Sequence, residues 1–171
     1  STLPGSVVNI ERDYYNDVNW NDVSSISGTS SDATSGISSM EIALQRSNDL
    51  AYWSGLVWTL SETWLSPNEL DNWTYYFTDL NNTVNYTVQS RATDNAGNVQ
   101  TTYGSDSFIY DVTLPLIGSV SDGLNSDDQQ WTNDLTTLSA IWTGFSDALS
   151  GLASYEYSIG TVAGGTQTVP W

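Results

Sequence analysis

The chain carries an internal repeat with a period of about 110 residues, and this repeat constrains the fold more than any other feature. Thr2-Leu3-Pro4 opens the first copy, and Thr113-Leu114-Pro115 opens the second copy 111 residues later. Residues 32–37 (DATSGI) return as residues 147–152 (DALSGL), 115 residues later. Solenoid repeats have periods of roughly 20–50 residues, whereas one β-sandwich domain has about 100. The repeat therefore predicts two tandem domains, of which the second is truncated.

Charge narrows the range of partners. The net charge is −17, with three Arg and no Lys to balance 20 acidic residues. A chain this acidic repels phosphate backbones and anionic lipid headgroups, so we expect neither nucleic-acid binding nor direct membrane insertion. The same charge keeps the chain soluble and attracts divalent cations.

Catalysis is limited by the side chains that the sequence lacks. Without His, Cys or Lys, most nucleophilic triads, zinc sites and Schiff-base mechanisms are closed to it. A carboxylate pair for glycoside hydrolysis remains formally open. Because the acidic residues lie mainly in turn-like segments, we expect a non-catalytic protein.

The alternation of side chains predicts strands and no long helix. Residues 84–92, 40–44 and 155–159 alternate apolar and polar positions with a period of two. Ser, Asn, Asp and Gly clusters separate these runs. Another inward-facing set contains Leu138, Ala140 and Trp142, and we expect Trp142 in the core. The fold class is therefore predicted as all-β, with tandem antiparallel β-sandwich domains.

Residues 111–115 (DVTLP) mark the predicted boundary, which places one domain at residues 1–112 and the N-terminal half of another at residues 113–171. Pro115 holds the preceding residue extended and donates no ladder hydrogen bond. We therefore expect a short, stiff linker.

The sharpest local motif is residues 94–98, Asp-Asn-Ala-Gly-Asn. One interpretation is a hairpin turn in which Gly97 supplies a positive φ and Asn or Asp side chains cap the backbone. The other is a Ca²⁺ site near the domain boundary, built from Asp94, Asp111 and turn carbonyl groups. Oxygen-only ligands suit Ca²⁺, but the spacing does not match an EF-hand.

Residues 122–128 form a second acidic segment, with Asp122, Asp127 and Asp128 as candidate Ca²⁺ ligands. A plain solvated loop is the alternative. Asp32 and Asp147 occupy equivalent positions before Ser-Gly in the two copies, and we expect them to form Asx turns rather than to bind a metal.

Aromatic residues are abundant, with eight Trp and ten Tyr. Four tryptophans cluster in the first copy and are the candidates for contact with a glycan or a protein: Trp53, Trp58, Trp64 and Trp73. The alternative for each is packing in the core.

Two stretches of the chain resemble known extracellular repeats. Residues 86–98 (YTVQSRATDNAGN) and 108–115 (FIYDVTLP) resemble the end of a bacterial immunoglobulin-like repeat. Residues 138–147 (LSAIWTGFSD) and 155–161 (YEYSIGT) are similar to fibronectin type III-like repeats of large secreted bacterial proteins. The resemblance implies immunoglobulin-like or fibronectin-like sandwiches in an adhesin-type protein.

The resemblance also implies a function and a location. We expect a structural segment of a secreted or cell-surface protein, a stalk, adhesin or filament component that presents a binding tip and is rigidified by Ca²⁺. Its partners would be neighbouring repeats or other copies, with a surface glycan or protein as a further partner. Two alternatives stay open: a glycan-binding module that uses surface tryptophans, and a fibre subunit completed by strands from a neighbour.

Overall fold

The computed structural model describes residues 2–18, 20, 25–123, 131–134, 136–162 and 165–169. It contains two compact units, Ser1–Val112 and Thr113–Trp171, called unit 1 and unit 2 below. The predicted all-β class is confirmed, since strands make up the regular structure apart from one helical turn that includes Asp17 and Trp20. No helix in the described ranges is long and apolar enough to cross a membrane.

Unit 1 is built from nine strands in two sheets. The strands are β1 (Gly5–Asn9), β2 (Tyr14–Tyr15), β3 (Ile26–Ser31), β4 (Ile37–Arg46), β5 (Tyr52–Trp53), β6 (Trp58–Thr59), β7 (Asn72–Tyr75), β8 (Val84–Asp94) and β9 (Gly104–Tyr110). One sheet has the order β1-β3-β7, and the other has the order β2-β9-β8-β4-β5-β6. All pairs are antiparallel except β2 and β9, which are parallel.

The core of unit 1 lies between these two sheets, as in a β-sandwich. The predicted inward positions of β8 and β4 are confirmed: alternate residues of β8 from Val84 to Asp94 are buried, as are Met40, Ile42 and Leu44. The three-stranded sheet contributes Ile26 and Trp73, among others, to the same apolar cluster. At about 25 cal/mol per Å², burial of these side chains is the main favourable contribution to folding of unit 1.

A buried polar network ties β1 to β8. The Ser6 hydroxyl donates to the Gln100 side-chain carbonyl at 2.7 Å and lies 2.8 Å from the Ser90 hydroxyl. The Gln100 carbonyl also accepts the backbone N–H of Ala92 at 3.0 Å, and its amide donates to the Thr102 carbonyl at 2.6 Å. Because each of these polar groups has a hydrogen-bond partner, its burial avoids the free-energy cost of an unpaired buried polar group.

Unit 2 has less regular structure within its described residues. β10 (Ser119–Asp122) and β11 (Ala140–Thr143) form an antiparallel pair. The expectation that Trp142 lies in a core is wrong here, because its side chain is 40% exposed. Tyr155 and Tyr157, expected to face inward, are each 54% exposed. The physical reason is that a two-stranded sheet offers no second layer to cover these side chains.

The repeated Asp-x-x-Ser-Gly turn, at residues 32–36 and 147–151, has the same geometry in both units. Asp32 accepts the backbone N–H groups of Thr34 and Ser35, and Asp147 accepts those of three residues that include Ser150. The glycines that follow have φ of 74° in unit 1 and 76° in unit 2. Backbone hydrogen bonds lower the pKa of both carboxyl groups. The predicted Asx turns are confirmed, and the internal repeat has a structural counterpart.

Gly28 supports a direct test of core packing in unit 1. It pairs with Trp73 across β3 and β7, and a Cβ at Gly28 would overlap both the Trp73 ring and the Val7 carbonyl oxygen. We expect Gly28→Ala to lower the free energy of unfolding by about 1–3 kcal/mol, the usual effect of overpacking. Urea denaturation followed by tryptophan fluorescence measures the change. Gly5→Ala is the matched control, because no atom lies within 4 Å of a Cβ there; equal stability of the two variants would contradict this packing.

Candidate functional site

The motif at residues 94–98 forms a closed hairpin turn. One oxygen of the Asp94 carboxylate accepts the backbone N–H groups of Ala96 at 2.9 Å and Asn98 at 2.7 Å. The other oxygen accepts the Asn98 side-chain amide at 2.7 Å. The hydrogen bond from the Asn98 side chain, with those from the backbone, lowers the pKa of Asp94. Gly97 has a φ of 86°, so the turn interpretation is confirmed.

Asp94 and Asp111 do not share a site, and the expectation that they jointly bind Ca²⁺ is wrong. Val84 pairs with Tyr110 at one end of β8, whereas Asp94 is the last residue of β8 at its other end. Ten residue steps at about 3.3 Å each separate these ends by about 33 Å. One cation cannot bridge that distance, because its ligands lie within about 2.6 Å.

The other predicted Ca²⁺ ligands lie in unit 2. Asp122 is the last residue of β10, while Asp127 and Asp128 fall outside the described residues. Among the residues that the structure describes, no three acidic side chains come together as a metal site. Ca²⁺ binding by residues 122–128 therefore stays a prediction.

Two of the four candidate tryptophans are core residues. Trp53 is 3% exposed and Trp73 is 0% exposed. Each is the second residue of a short strand, Trp53 after Tyr52 and Trp73 after Asn72. Because successive side chains of a strand point to opposite faces, both tryptophans point into the core. Their predicted contact with a glycan or protein is wrong for this fold, because no ligand can reach a buried ring.

Trp58 closes one end of the core. Its ring centroid lies 5.3 Å from that of Trp53 and 5.7 Å from that of Tyr86. The guanidinium carbon of Arg46 lies 4.7 Å from the ring centroid of Trp58. Asp49 holds Arg46 through two hydrogen bonds of 2.7 and 2.8 Å. Trp58 is half-buried and packs against the core of unit 1.

Tyr86 anchors the same end of unit 1. Its ring is fully buried, and its hydroxyl accepts the backbone N–H of Asn81 at 2.6 Å. Burial raises the pKa of Tyr86. The contact joins the start of β8 to the chain five residues upstream, so it fixes how the chain turns into the central strand.

Trp64 alone among the four candidates belongs to an accessible cluster on the outer side of the six-stranded sheet. The outer-face cluster is defined here as Glu41, Glu62, Trp64, Arg91 and Tyr103. The guanidinium carbon of Arg91 lies 4.0 Å from the Trp64 ring centroid, and the Tyr103 ring meets Trp64 edge-on with centroids 5.1 Å apart. Tyr103 is 40% exposed, so the cluster presents an aromatic surface to solvent.

Ion pairing and hydrogen bonds hold the outer-face cluster in place. The Arg91 Nε donates to Glu41 at 2.8 Å, and the Trp64 indole N–H donates to Glu62 at 2.8 Å. Partial burial lowers the pKa of Arg91, but hydrogen bonds with Glu41 and Tyr103 outweigh it and raise the pKa overall. These contacts hold the side chains of the outer-face cluster in fixed relative positions.

Sequence reasoning identified Trp64 but missed Glu41, Arg91 and Tyr103 as members of its cluster. The period of two places Glu41 and Arg91 on outward faces, yet only the register shows that they are opposite each other. Tyr103 lies two residues before Ser105, so the alternation of β9 was the signal that could have assigned it to the same face.

At one edge of the six-stranded sheet, β2 is linked to its neighbour β9, the last strand of unit 1 along the chain. The backbone N–H of Ile109 donates to the Asp13 carbonyl at 2.9 Å, and that of Asp111 donates to the Tyr15 carbonyl at 2.7 Å. These bonds hold β2 parallel to β9. The Tyr110 hydroxyl donates to the Asp17 carboxylate, which adds a side-chain connection between the same two segments.

Comparison of the chain with protein-family models, with curated protein sequences and with solved structures finds no match.

The connection between Tyr110 and Asp17 predicts a loss of stability at alkaline pH. Burial, together with the hydrogen bond to Asp17, raises the pKa of Tyr110 to about 12. In the unfolded chain a tyrosine ionises near pH 10. Between these two values the folded state retains a proton that the unfolded state has released, so the free energy of unfolding falls as pH rises. Urea denaturation between about pH 8 and 11 measures this slope.

Tyr110→Phe is the control for this slope. Phenylalanine does not titrate, so the variant should lose less stability than the parent chain over the same pH interval. A smaller slope should remain, because burial also raises the pKa values of Tyr15, Tyr75 and Tyr86. Identical slopes for the variant and the parent would show that Tyr110 ionises normally in the folded state.

Proposed function

We propose that unit 1 is a non-catalytic, load-bearing repeat of a secreted or cell-surface protein, acting as a spacer between neighbouring repeats. The observation that carries this proposal is the parallel pairing of β2 with β9. It connects a segment near the beginning of unit 1 directly to the last strand before unit 2.

The direction of these two strands determines how unit 1 responds to tension. Because they are parallel, a force on the N-terminal side of β2 and the C-terminal side of β9 pulls opposite ends of the pair. The strands must then slide along one another, and the bonds at Ile109 and Asp111 are loaded together. In an antiparallel terminal pair, the same force would open one bond after another. Simultaneous loading makes the pair a clamp against extension.

Side chains reinforce the clamp. The rings of Tyr15, Trp20 and Phe108 contact one another, with centroids 5.3–5.4 Å apart. Two of these residues belong to the clamp strands, and aromatic pairs of this geometry contribute about 0.5–1.5 kcal/mol beyond their buried area. Sliding of the strands must therefore break ring contacts as well as backbone bonds.

The arrangement of strands supports the immunoglobulin-like assignment of unit 1. In the constant-type fold, strands A, B, E and D form one sheet and strands C, F and G the other, and a tyrosine on strand F bonds to the backbone upstream. β1, β3 and β7 match strands A, B and E, and β4, β8 and β9 match strands C, F and G. Strand D has no counterpart among the described residues of the three-stranded sheet. Tyr86 on β8 takes the position of the corner tyrosine through its contact with Asn81.

The tandem arrangement supports a spacer. The Asx turn at Asp32 recurs at Asp147, and Pro115 follows shortly after the boundary between the units. High negative charge favours solubility and disfavours non-specific attachment to nucleic acid or anionic lipid. Ca²⁺ bound by the carboxylates of residues 122–128 would add rigidity, and this binding stays a prediction.

Single-molecule force spectroscopy on the full chain, pulled between its two ends, tests the proposal. Unit 1 should unfold in one step that releases about 400 Å of contour length, from 112 residues at about 3.6 Å each. Ile109→Pro removes the N–H that bonds to Asp13 and should lower the unfolding force, since one of the loaded backbone hydrogen bonds is lost.

Ser107→Pro is the matched control for Ile109→Pro. The Ser107 N–H lies on the same strand two residues earlier and bonds to the Asp106 side chain rather than to β2. This variant should keep the unfolding force of the parent chain. Equal forces for both proline variants, or unfolding of the parent chain without a resolvable force peak, would overturn the load-bearing function.

A further inference from the structure

The outward strand positions of β4, β8 and β9 carry no net charge, which is unusual in a chain of net charge −17. These positions are occupied mainly by hydroxyl and amide side chains. Their only ionised groups, Glu41 and Arg91, form an ion pair at 2.8 Å. The residues are Ser39, Glu41, Ala43, Gln45, Asn85, Thr87, Gln89, Arg91, Thr93, Ser105, Ser107 and Ile109. Glu62, beside Trp64, gives the outer-face cluster one negative charge. An anionic partner is therefore disfavoured at this face, and an uncharged partner fits it better.

Trp64 and Tyr103 place aromatic surface directly beside these polar rows. Arg91 contacts the face of Trp64, and Tyr103 packs against the edge of the same indole. Tyr103 keeps much of its ring exposed, although it is held by the indole and by the guanidinium group. A rigid, partly exposed aromatic ring beside amides and hydroxyls combines an apolar surface with donors and acceptors in one place.

Sugars are the ligands that match this combination. A pyranose ring has an apolar face of C–H groups that can stack on Tyr103, and its hydroxyls can both donate and accept hydrogen bonds. The side chains of Gln89 and Thr87 offer donors and acceptors on the central strand, and Glu41 and Arg91 offer charged ones. Acidic polysaccharides would be repelled by the rest of the chain.

A protein partner fits this face less well. The buried centre of a protein interface is rich in apolar area and poor in charged residues. Here the aliphatic side chains on the outward positions are few, and Ala43 is already covered. The surface is instead a polar sheet face with an aromatic edge.

We infer that the outer face of unit 1 is a binding site for uncharged glycans, with Tyr103 as the stacking residue and Arg91, Glu41 and Gln89 as hydrogen-bonding residues. Trp64 is a positioning residue that holds Tyr103 and Arg91. The inference is independent of the load-bearing role, because that role rests on backbone hydrogen bonds between β2 and β9, whereas the glycan would contact side chains of the outer face.

Two-dimensional ¹H–¹⁵N NMR of the full chain tests this site through the indole signal of Trp64, assigned with Trp64→Phe. The probes are hexasaccharides of glucose, mannose, galactose and N-acetylglucosamine, each titrated to about 10 mM so that millimolar dissociation constants are detected. At least one should shift the Trp64 indole signal in a saturable manner. Hexagalacturonate, the anionic counterpart, should bind more weakly.

Variants distinguish stacking on Tyr103 from general effects. Tyr103→Ala should weaken binding by about tenfold, as expected for loss of one stacked ring. Tyr76→Ala removes another exposed tyrosine, which follows β7 in the opposite sheet, and should bind like the parent chain. Arg91→Lys keeps the charge but loses the planar fork, and should also weaken binding.

Four results would overturn the inference. These are the absence of any shift with all four neutral hexasaccharides, equal affinity of Tyr103→Ala and the parent chain, tighter binding of hexagalacturonate than of the neutral sugars, and a Trp64 shift that depends on protein concentration without sugar. The last result would identify the face as a contact between copies of the chain. None of the four bears on the unfolding force, so failure here leaves the load-bearing function standing.

Discussion

The pairing of β8 with β4 is the contact on which the rest of unit 1 depends. The two strands run antiparallel from Ile37 opposite Asp94 to Arg46 opposite Tyr86. This register sets Tyr86 and its inward neighbours against the core and leaves Arg91 outside. Because side chains alternate with a period of two, a slip of one residue would exchange the two faces. The apolar core and the outer-face cluster are therefore two consequences of one register.

Polar groups reinforce that register where apolar packing alone would not define it. Ser90 has an inward position on β8, and its hydroxyl meets that of Ser6 from the opposite sheet. At the start of the same strand, the Tyr86 hydroxyl accepts the Asn81 N–H. Both contacts require specific partners at specific positions, whereas buried hydrocarbon tolerates several arrangements of similar volume. Together they align β8 with respect to the other sheet and to the preceding turn.

The two proposed roles use different parts of this frame. Tension acts on the edge pair of β2 and β9, whereas a ligand would contact the outer surface of β4, β8 and β9. The strand β9 serves both roles. The amide groups of Ile109 and of Asp111, the residue after β9, donate to the segment of β2, and the outward side chains of β9 join the face that Tyr103 borders. A glycan on that face would leave the clamp bonds in place, because side chains and backbone amides of a strand point in perpendicular directions.

Sequence by itself determined the all-β class, the inward positions of β4 and β8, the positive φ of Gly97 and the Asx turns at Asp32 and Asp147, because each depends on neighbours within a few residues. Only the tertiary structure decided which aromatic residues are accessible. Trp53 and Trp73 are buried, Trp64 is joined by Arg91 and Tyr103, and Asp94 is far from Asp111. These outcomes depend on strand order and register, which relate residues far apart in the chain, such as Trp64 and Arg91, and leave no periodic signal in the sequence.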